Sequence, residues 1–574
     1  MAETVRQGPD SRALQRALDE WEALLGSPHV ERDPDEDPRF ADTTQPFAAH
    51  AAAILRPAST EDVSLVVKIA ARHGVPIYPI SRGRNWGYGD ARPVLDGQVA
   101  LDLGRMNRIL DYDEALGSVV IEPGVSQGQL ADFLRGRGDE HWIDCTGAGP
   151  ETSILGNALE RGFGHGPRGN RFQQICSMEV VLGDGEVLRT GFGHFEASRT
   201  AQAYAPGIGP ALDGLFAQSS FGIVTAVGLS LLPRPDRFEL VVATLERDED
   251  IAAAVDSLRR LKAAGTIRSV AHIGNDLRVL SGQGTRDQIA GQGSGPLCRE
   301  TRGRLRRRYG VAAWTLSAGL YGTAREVAAA RAAVRSALKG PGRRLIFLGR
   351  RRLALAKALL RPFCRLTPAK RLLEKLDAAE AILDLHTGRP SARFLAGAYW
   401  RQASAPAPEA LDQANPAADG CGFLWVAPVA PMKGTAISDL LGLAEPHFDR
   451  FGFDPLITFS AVTEGALAAV ITIAFDPRDP AEALRAQDCH DTLLEALIDA
   501  GFPPYRVGPS AMELLSRRSL GYWPIVQRLK RALDPTAVLS PGRYLSRSAE
   551  SNAQSSTSAQ QGVAEIGKEM QQIQ

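Results

Sequence analysis

Residues 75–103 constrain the fold of this chain more than any other stretch. VPIYPI (75–80) is a short apolar run bounded by Gly74 and Ser81, strand-like in length. RGRNWGYGD (82–90) follows, with glycines at Gly83, Gly87 and Gly89 and cations at Arg82 and Arg84. Glycine lets successive backbone N–H groups turn into one concavity and lets an anionic ligand approach closely. A dinucleotide fingerprint or a Walker loop would next open a helix, and the latter would carry Gly-Lys-Ser/Thr. Here QVALDL (98–103) reads as a second strand and no such lysine follows. The pattern predicts a strand–loop–strand cradle for a pyrophosphate. The competing reading is a Gly-rich surface turn.

The remaining chain alternates strand and helix signals. Helices are predicted over 11–26, from about 59 to 73, and over 127–134, 250–264, 324–338, 491–501 and 524–533, and strands over 118–122, 239–245, 314–322, 423–428 and 457–473. Strands 175–182 and 186–190 meet at Gly183-Asp184-Gly185, a hairpin signal. Residues 147–170 form the densest cluster of small and polar residues, and 282–295 is a Gly/Gln-rich loop. The basic, leucine-rich stretch 343–375 reads as an amphipathic helix with a solvated cationic face, or as a dock for an acidic protein or membrane surface. The length allows three or four domain-sized units. The expected class is α+β: an N-terminal helical segment (1–55), a two-part domain (56–235), a second domain (236–500), a C-terminal segment (501–545) and a disordered Ser/Gln/Ala tail (546–574).

With 66 basic and 66 acidic residues and a pI near 7.2, the chain offers no global electrostatic case for nucleic acid. Its six cysteines contain no C-x-x-C pair and no metal spacing, so no metal site is expected. The polar N-terminus is unlike a signal peptide, and no apolar run reaches membrane-spanning length. A cytoplasmic location is expected.

In their order and spacing, RGRNWGYGD (82–90), VVIEPGV (119–125), SILGNALERGFGHGPRGN (153–170), MEVVLGDGEVLRTG (178–191), FGIVTAV (221–227), CGFLWVAP (421–428), YR (505–506) and DPTAVLSPGR (534–543) resemble the vanillyl-alcohol oxidase and 4-cresol dehydrogenase family of flavoproteins. The resemblance implies a two-part FAD-binding domain with an α+β cap domain over the flavin. It implies FAD contacts from Ser81, Gly83, Arg84, Asn85, Trp86, Gly87 and Tyr88, from Pro123 and Gly124, and from Ser153, Gly156, Asn157, Arg161, Gly162 and Gly169. Gly222, Ile223, Val224 and Arg543 complete the implied set. Tyr88, Tyr505 and Arg506 match the family's phenolate-binding trio. A phenol ionises near pH 10, and a guanidinium with two hydroxyl donors stabilises its anion. The phenolate then drives hydride from the para-benzylic carbon to the flavin, leaving a quinone methide.

Arg401 is a candidate for the cation beside the flavin N1–C2=O edge, the alternative being a salt bridge within the cap domain. Two positions depart from the family pattern. The histidine that tethers FAD in the oxidases falls at Phe423, so a non-covalent cofactor is expected. The aspartate near the reacting carbon falls at Asn170, and an amide is no general base, which leaves Glu464 and His165 as replacements. The resemblance thus implies oxidation of a phenolic small molecule by a homodimer, with oxygen or a cytochrome c as electron acceptor. The alternatives are an FAD enzyme acting on a non-phenolic alcohol or hydroxy acid, and a flavin-fold binding protein without catalysis.

Overall fold

The computed structural model describes residues 11–545 except 294, 341–342, 408–409 and 519–520. The predicted tail, 546–574, lies outside the described residues. Three sheets organise the rest. The first carries Val30–Glu31, Ile54–Leu55, Val99–Asp102 and Ile77–Ile80 in that spatial order. Ile77–Ile80 runs parallel to Val99–Asp102, which a hairpin could not achieve; the glycine-rich loop is the crossover. Helix Thr60–His73 covers this sheet, capped by the Ser59 side chain at its start and ended by Gly74 in the left-handed region (φ 65°).

The second sheet is antiparallel: Ile109–Asp113, Ser118–Ile121, Ile223–Ser230, Ile175–Val181, Val187–Arg189. Its central strand, Ile223–Ser230, is buried along nearly its whole length, and its edge strand, Val187–Arg189, is largely exposed. The C-terminal chain returns to the first two sheets. Leu539 pairs with Ile77, and the buried Lys530 ammonium donates to the carbonyls of Ser220 and Leu539.

The third sheet is built only from residues 237–475. Its order is Arg343–Leu348, Arg237–Leu245, Trp314–Gly322, Ala271–Asn275, Leu456–Ala461, Ala466–Phe475, Gly422–Val426, all neighbours antiparallel. Strand side chains alternate between faces. Val241, Ala243 and Leu245 pack under helices Asp250–Ala263, Ala324–Ala337, Gly434–Phe451 and Pro480–Asp499. Val242, Thr244, Thr315, Ser317, Thr458, Ser460, Val470 and Thr472 line a cavity on the other face.

Four expectations change. The strand over 457–473 is a hairpin of Leu456–Ala461 and Ala466–Phe475. Residues 343–375 are not one helix. Arg343–Leu348 joins the sheet edge, Arg350–Leu360 is a helix, and Thr367–His386 begins another. The β-branched and aromatic content of RRLIFL and the break at Gly349 favour the strand. Helix 491–501 is the second half of Pro480–Asp499, which Asp479 caps at its true start. The loop 282–295 contains helix Arg286–Ala290, closed at its N-terminus by a Thr285/Gln288 capping box.

Candidate active site

A cavity of about 1680 Å³ runs from the glycine-rich loop, past Ser153–Gly162 and Gly222–Val224, to the open face of the third sheet. At the loop end the backbone N–H groups of Gly83, Arg84, Asn85 and Trp86 have no acceptor among the described residues. Gly87 lies against the Trp425 ring, where a Cβ would come within 2.8 Å, and its φ of 75° also requires glycine. Asp90 anchors the end of the loop: Thr43 and Thr44 hydroxyls and the Thr44 N–H donate to its buried carboxylate. Arg82 braces the cradle, donating to the Glu151 and Gly124 carbonyls and pairing with the Glu151 carboxylate.

Helix Ile154–Leu159, capped by the Ser153 hydroxyl, closes the opposite wall. A Cβ at Gly156 would sit 2.8 Å from the Ser81 hydroxyl, so these two walls touch only through a glycine. The hydroxyls of Ser219 and Ser220 are buried on the cavity wall without a partner among the described residues. Free N–H groups, orphaned hydroxyls and a glycine-held gap at one end, with apolar walls further in, suit a long ligand with an anionic centre. FAD fits this donor set.

The sheet end of the cavity holds different chemistry. Tyr88 is 2% exposed and stands edge-on to Trp425 (centroids 5.1 Å apart), and its buried hydroxyl meets the Tyr505 hydroxyl without completing a well-aligned hydrogen bond. The Arg506 guanidinium lies over the Tyr88 ring, 4.3 Å from its centroid. Tyr505 reaches the same wall because its N–H bonds the Ala427 carbonyl at 3.1 Å, tying 504–505 to 427–428. Burial pushes both phenols up from their ordinary value, Tyr88 well up, with the Arg506 charge opposing in each case. Both hydroxyls are therefore protonated donors at neutral pH.

Arg506 also bonds Asn85 and stands 3.4 Å from the Glu160 carboxylate, which in turn pairs with Arg543. Arg543 donates to the Tyr78 hydroxyl at 2.8 Å. Two guanidiniums thus share one carboxylate, and the cluster keeps one net positive charge.

Between Tyr505 and the far wall runs a row of rings. Phe163 is 5.6 Å from Tyr505 and 6.3 Å from His272; His165 is 4.2 Å from His272 and 6.1 Å from Phe394. His165 donates from Nδ1 to the Cys145 carbonyl at 3.0 Å, and burial lowers its pKa to about 4. Burial and the neighbouring His165 push His272 well below its ordinary value. Both imidazoles are neutral near pH 7.

Ser81, Gly83, Arg84, Asn85, Trp86, Tyr88, Ser153, Gly156, Asn157, Gly162, Gly222, Ile223, Val224, Tyr505, Arg506 and Arg543 all line the cavity, as do Phe423 and His165. Gly87, Pro123, Gly124, Arg161 and Gly169 do not; the Gly124 carbonyl accepts from Arg82 of the loop and the Pro123 carbonyl from the Ser153 hydroxyl. Arg401 is absent from the cavity wall and forms a two-pronged pair with Glu482 at 2.8–2.9 Å, the salt bridge rather than a cavity-facing cation. Asn170 also lies off the wall, in a bridge to Phe163 that closes the 163–170 loop. Glu464 is exposed at the 462–465 turn, too far out to serve as a base in the cavity. Glu160, Phe163, His272 and Arg278 were not singled out by the sequence. Glu160 alone carried a signal, as one of two acids within the small-residue stretch and the one beside Arg161.

A family profile described as an FAD binding domain matches residues 51–191. The chain is 39% identical over 538 residues to 1'-carboxy-chondrochloren decarboxylase of Chondromyces crocatus, covering 93% of this chain and 98% of that one. It is 32% identical to the 4-cresol dehydrogenase [hydroxylating] flavoprotein subunit of Pseudomonas putida, over 94% of this chain and 96% of the relative. The solved 4-ethylphenol oxidase of Gulosibacter chungangensis, in complex with isoeugenol, superposes with a TM-score of 0.84 at 28% identity, covering 94% and 99% of the two chains.

Proposed function

Because the chain belongs to the vanillyl-alcohol oxidase and 4-cresol dehydrogenase family of FAD-dependent oxidoreductases, we propose that it oxidises the para side chain of a phenol through a quinone methide. The observation that carries this reading is the buried Tyr88 hydroxyl beside that of Tyr505 and the singly charged Arg506–Glu160–Arg543 cluster. Two neutral hydroxyl donors and one net positive charge match a single phenolate oxygen in number and sign. Glu160 and Asn85 hold the guanidinium fork in place before any substrate arrives, so little ordering entropy is lost on binding.

Bound FAD supplies the two-electron acceptor. The protein's part is to hold the phenol as its anion, aim the para carbon, and exclude water with Phe163, Phe423 and Trp425. Phe423 is 2% exposed on the wall and cannot form a bond to flavin, so the cofactor is bound non-covalently in this reading. With Asn170 off the wall, no side-chain carboxylate is assigned to activate water, and side-chain desaturation is favoured over hydroxylation. The C. crocatus relative is named a decarboxylase, and a quinone methide with a carboxylate on its next carbon is set up for that same bond cleavage. Oxygen or a cytochrome c receives the electrons in turn, and the protein works as a homodimer.

Anaerobic mixing with 4-alkylphenols should bleach the flavin absorbance, and the matching alkylbenzenes, which lack the hydroxyl, should not. Equal bleaching by both series would refute a phenolate-binding site.

A further inference from the structure

We infer that Arg278 receives a carboxylate on the substrate's para side chain, and that this carboxylate leaves as carbon dioxide after hydride transfer. The inference rests on the phenol reading above and specifies its substrate: a 4-hydroxyphenyl alkanoate.

Several buried or half-buried arginines in this chain have acidic partners, while the buried Arg92 and Arg171 are held by backbone carbonyls and neutral side chains. Arg286 pairs with Asp454, Arg302 and Arg306 with Asp276, Arg401 with Glu482, and Arg506 and Arg543 with Glu160. Arg278 lines the cavity and has none among the described residues. Its guanidinium makes only two long, neutral bonds, to the Ser281 hydroxyl at 3.3 Å and the Phe394 carbonyl at 3.4 Å. Burial depresses its pKa with no carboxylate opposing the effect. A guanidinium offers five donors in a planar fork that matches a carboxylate edge to edge. Such a group, desolvated on a cavity wall with most donors unused, is costly unless a ligand brings the anion.

Its place in the fold sets the shape of that ligand. Helix Asp276–Leu280 continues directly from strand Ala271–Asn275, which carries His272. Arg278 touches Phe394; from Phe394 the rings of His165, His272 and Phe163 lead to Tyr505. Two cationic sites are thus joined by a wall of neutral rings. A ligand with a phenolate at one end and a carboxylate at the other would find a cation for each.

The reaction balances without a further reagent. The benzylic carbon gives up a hydride to the two-electron acceptor, FAD, and the phenol loses its proton, leaving a quinone methide. The bond from the adjacent carbon to the carboxylate then breaks. Its electron pair becomes the new carbon–carbon double bond, the ring returns to a phenolate, and carbon dioxide leaves. The net products are a 4-alkenylphenol, carbon dioxide and two-electron-reduced flavin.

The test compares 3-(4-hydroxyphenyl)propanoate with 4-propylphenol, its uncharged counterpart, in the flavin-loaded wild type and in Arg278→Gln and Arg278→Lys. A binding measurement independent of turnover uses calorimetry with 4-hydroxycinnamate, which has no benzylic hydride to lose, against 4-propenylphenol. Wild type should prefer the carboxylated ligand, and Arg278→Gln should reduce that preference by about a hundredfold, as for removal of one member of a buried charge pair. Arg278→Lys should restore part of it. Carbon dioxide should appear one-for-one with reduced flavin from the propanoate. The inference is overturned if the preference is unchanged in Arg278→Gln, if wild type shows none, or if the propanoate reduces the flavin without releasing carbon dioxide. Failure of both phenols to reduce the wild-type flavin would instead overturn the phenol reading, and this inference with it.

Discussion

Replacing Arg506 by alanine tests the proposed phenolate site most directly. Arg506 is 9% exposed, lies over Tyr88 and shares Glu160 with Arg543. Its loss takes the cluster from one net positive charge to none, so a phenolate placed there gains no net Coulombic attraction. Removing one partner of a buried, hydrogen-bonded charge pair costs about 2–5 kcal/mol. Arg543 remains in the cluster, which puts the effect toward the lower end, about 2–3 kcal/mol, or roughly 30- to 150-fold in phenolate affinity. The same energy raises the pKa of the bound phenol by about 1.5–2 units, at 1.36 kcal/mol per unit. The assay is anaerobic stopped-flow reduction of the flavin by a 4-alkylphenol across pH. The rate at neutral pH should fall and its pH profile should move upward by that interval, while flavin content stays near the wild-type ratio. Arg506→Lys keeps the charge without the fork and should fall between the two. Reduction by Arg506→Ala with near-normal rate and an unmoved pH profile would refute the argument that the substrate is held as an anion here.

Other expectations follow from the same geometry. On the proposed non-covalent binding of FAD, acid precipitation should release the yellow chromophore into the supernatant; a pellet that remains fluorescent would refute it. Gly156→Val should lower the flavin-to-protein absorbance ratio severalfold, because even a Cβ would meet the Ser81 hydroxyl at 2.8 Å; a normal ratio would mean that the two walls part freely. Burial raises Asp90 to about 6 despite its threonine donors. A carboxyl whose folded pKa exceeds its unfolded value of about 3.9 contributes stability below that value and loses it as pH rises through the folded pKa. Unfolding free energy measured in denaturant should therefore carry a downward component between about pH 4 and 6, and Asp90→Asn should flatten part of it. Asp144, also raised to about 6, leaves the remainder of that slope in place.

The elements were legible where short-range physics decides them. Ser59 and Gly74 mark the ends of helix Thr60–His73 by capping alone, and the strand–glycine loop–strand order of 75–103 separated this cradle from a helix-opening nucleotide turn. The paired walls of the cavity followed from the same small-residue signals, since only glycine allows such close approach at Gly87 and Gly156. The sequence misjudged 343–375, where alternating cationic and apolar residues suit either an edge strand or a helix, and only pairing with Arg237–Leu245 selects the strand.

The chemistry of the site was decided in three dimensions. Which face a strand residue presents depends on its register, so pairing with Ala466–Phe475 puts Phe423 and Trp425 on the cavity and Leu424 and Val426 in the core. Which arginine is spent and which is free depends on carboxylates far away in the chain. Glu482 occupies Arg401, Glu160 is shared by two arginines from the C-terminal segment, and no acid reaches Arg278. By itself the sequence determined the strand–loop–strand elements and, through its resemblance to a flavoprotein family, the cofactor class, because those signals lie within contiguous motifs. The tertiary structure alone decided which charges remain uncompensated on the cavity wall, because the distance between a guanidinium and its carboxylate is set by packing and not by spacing along the chain.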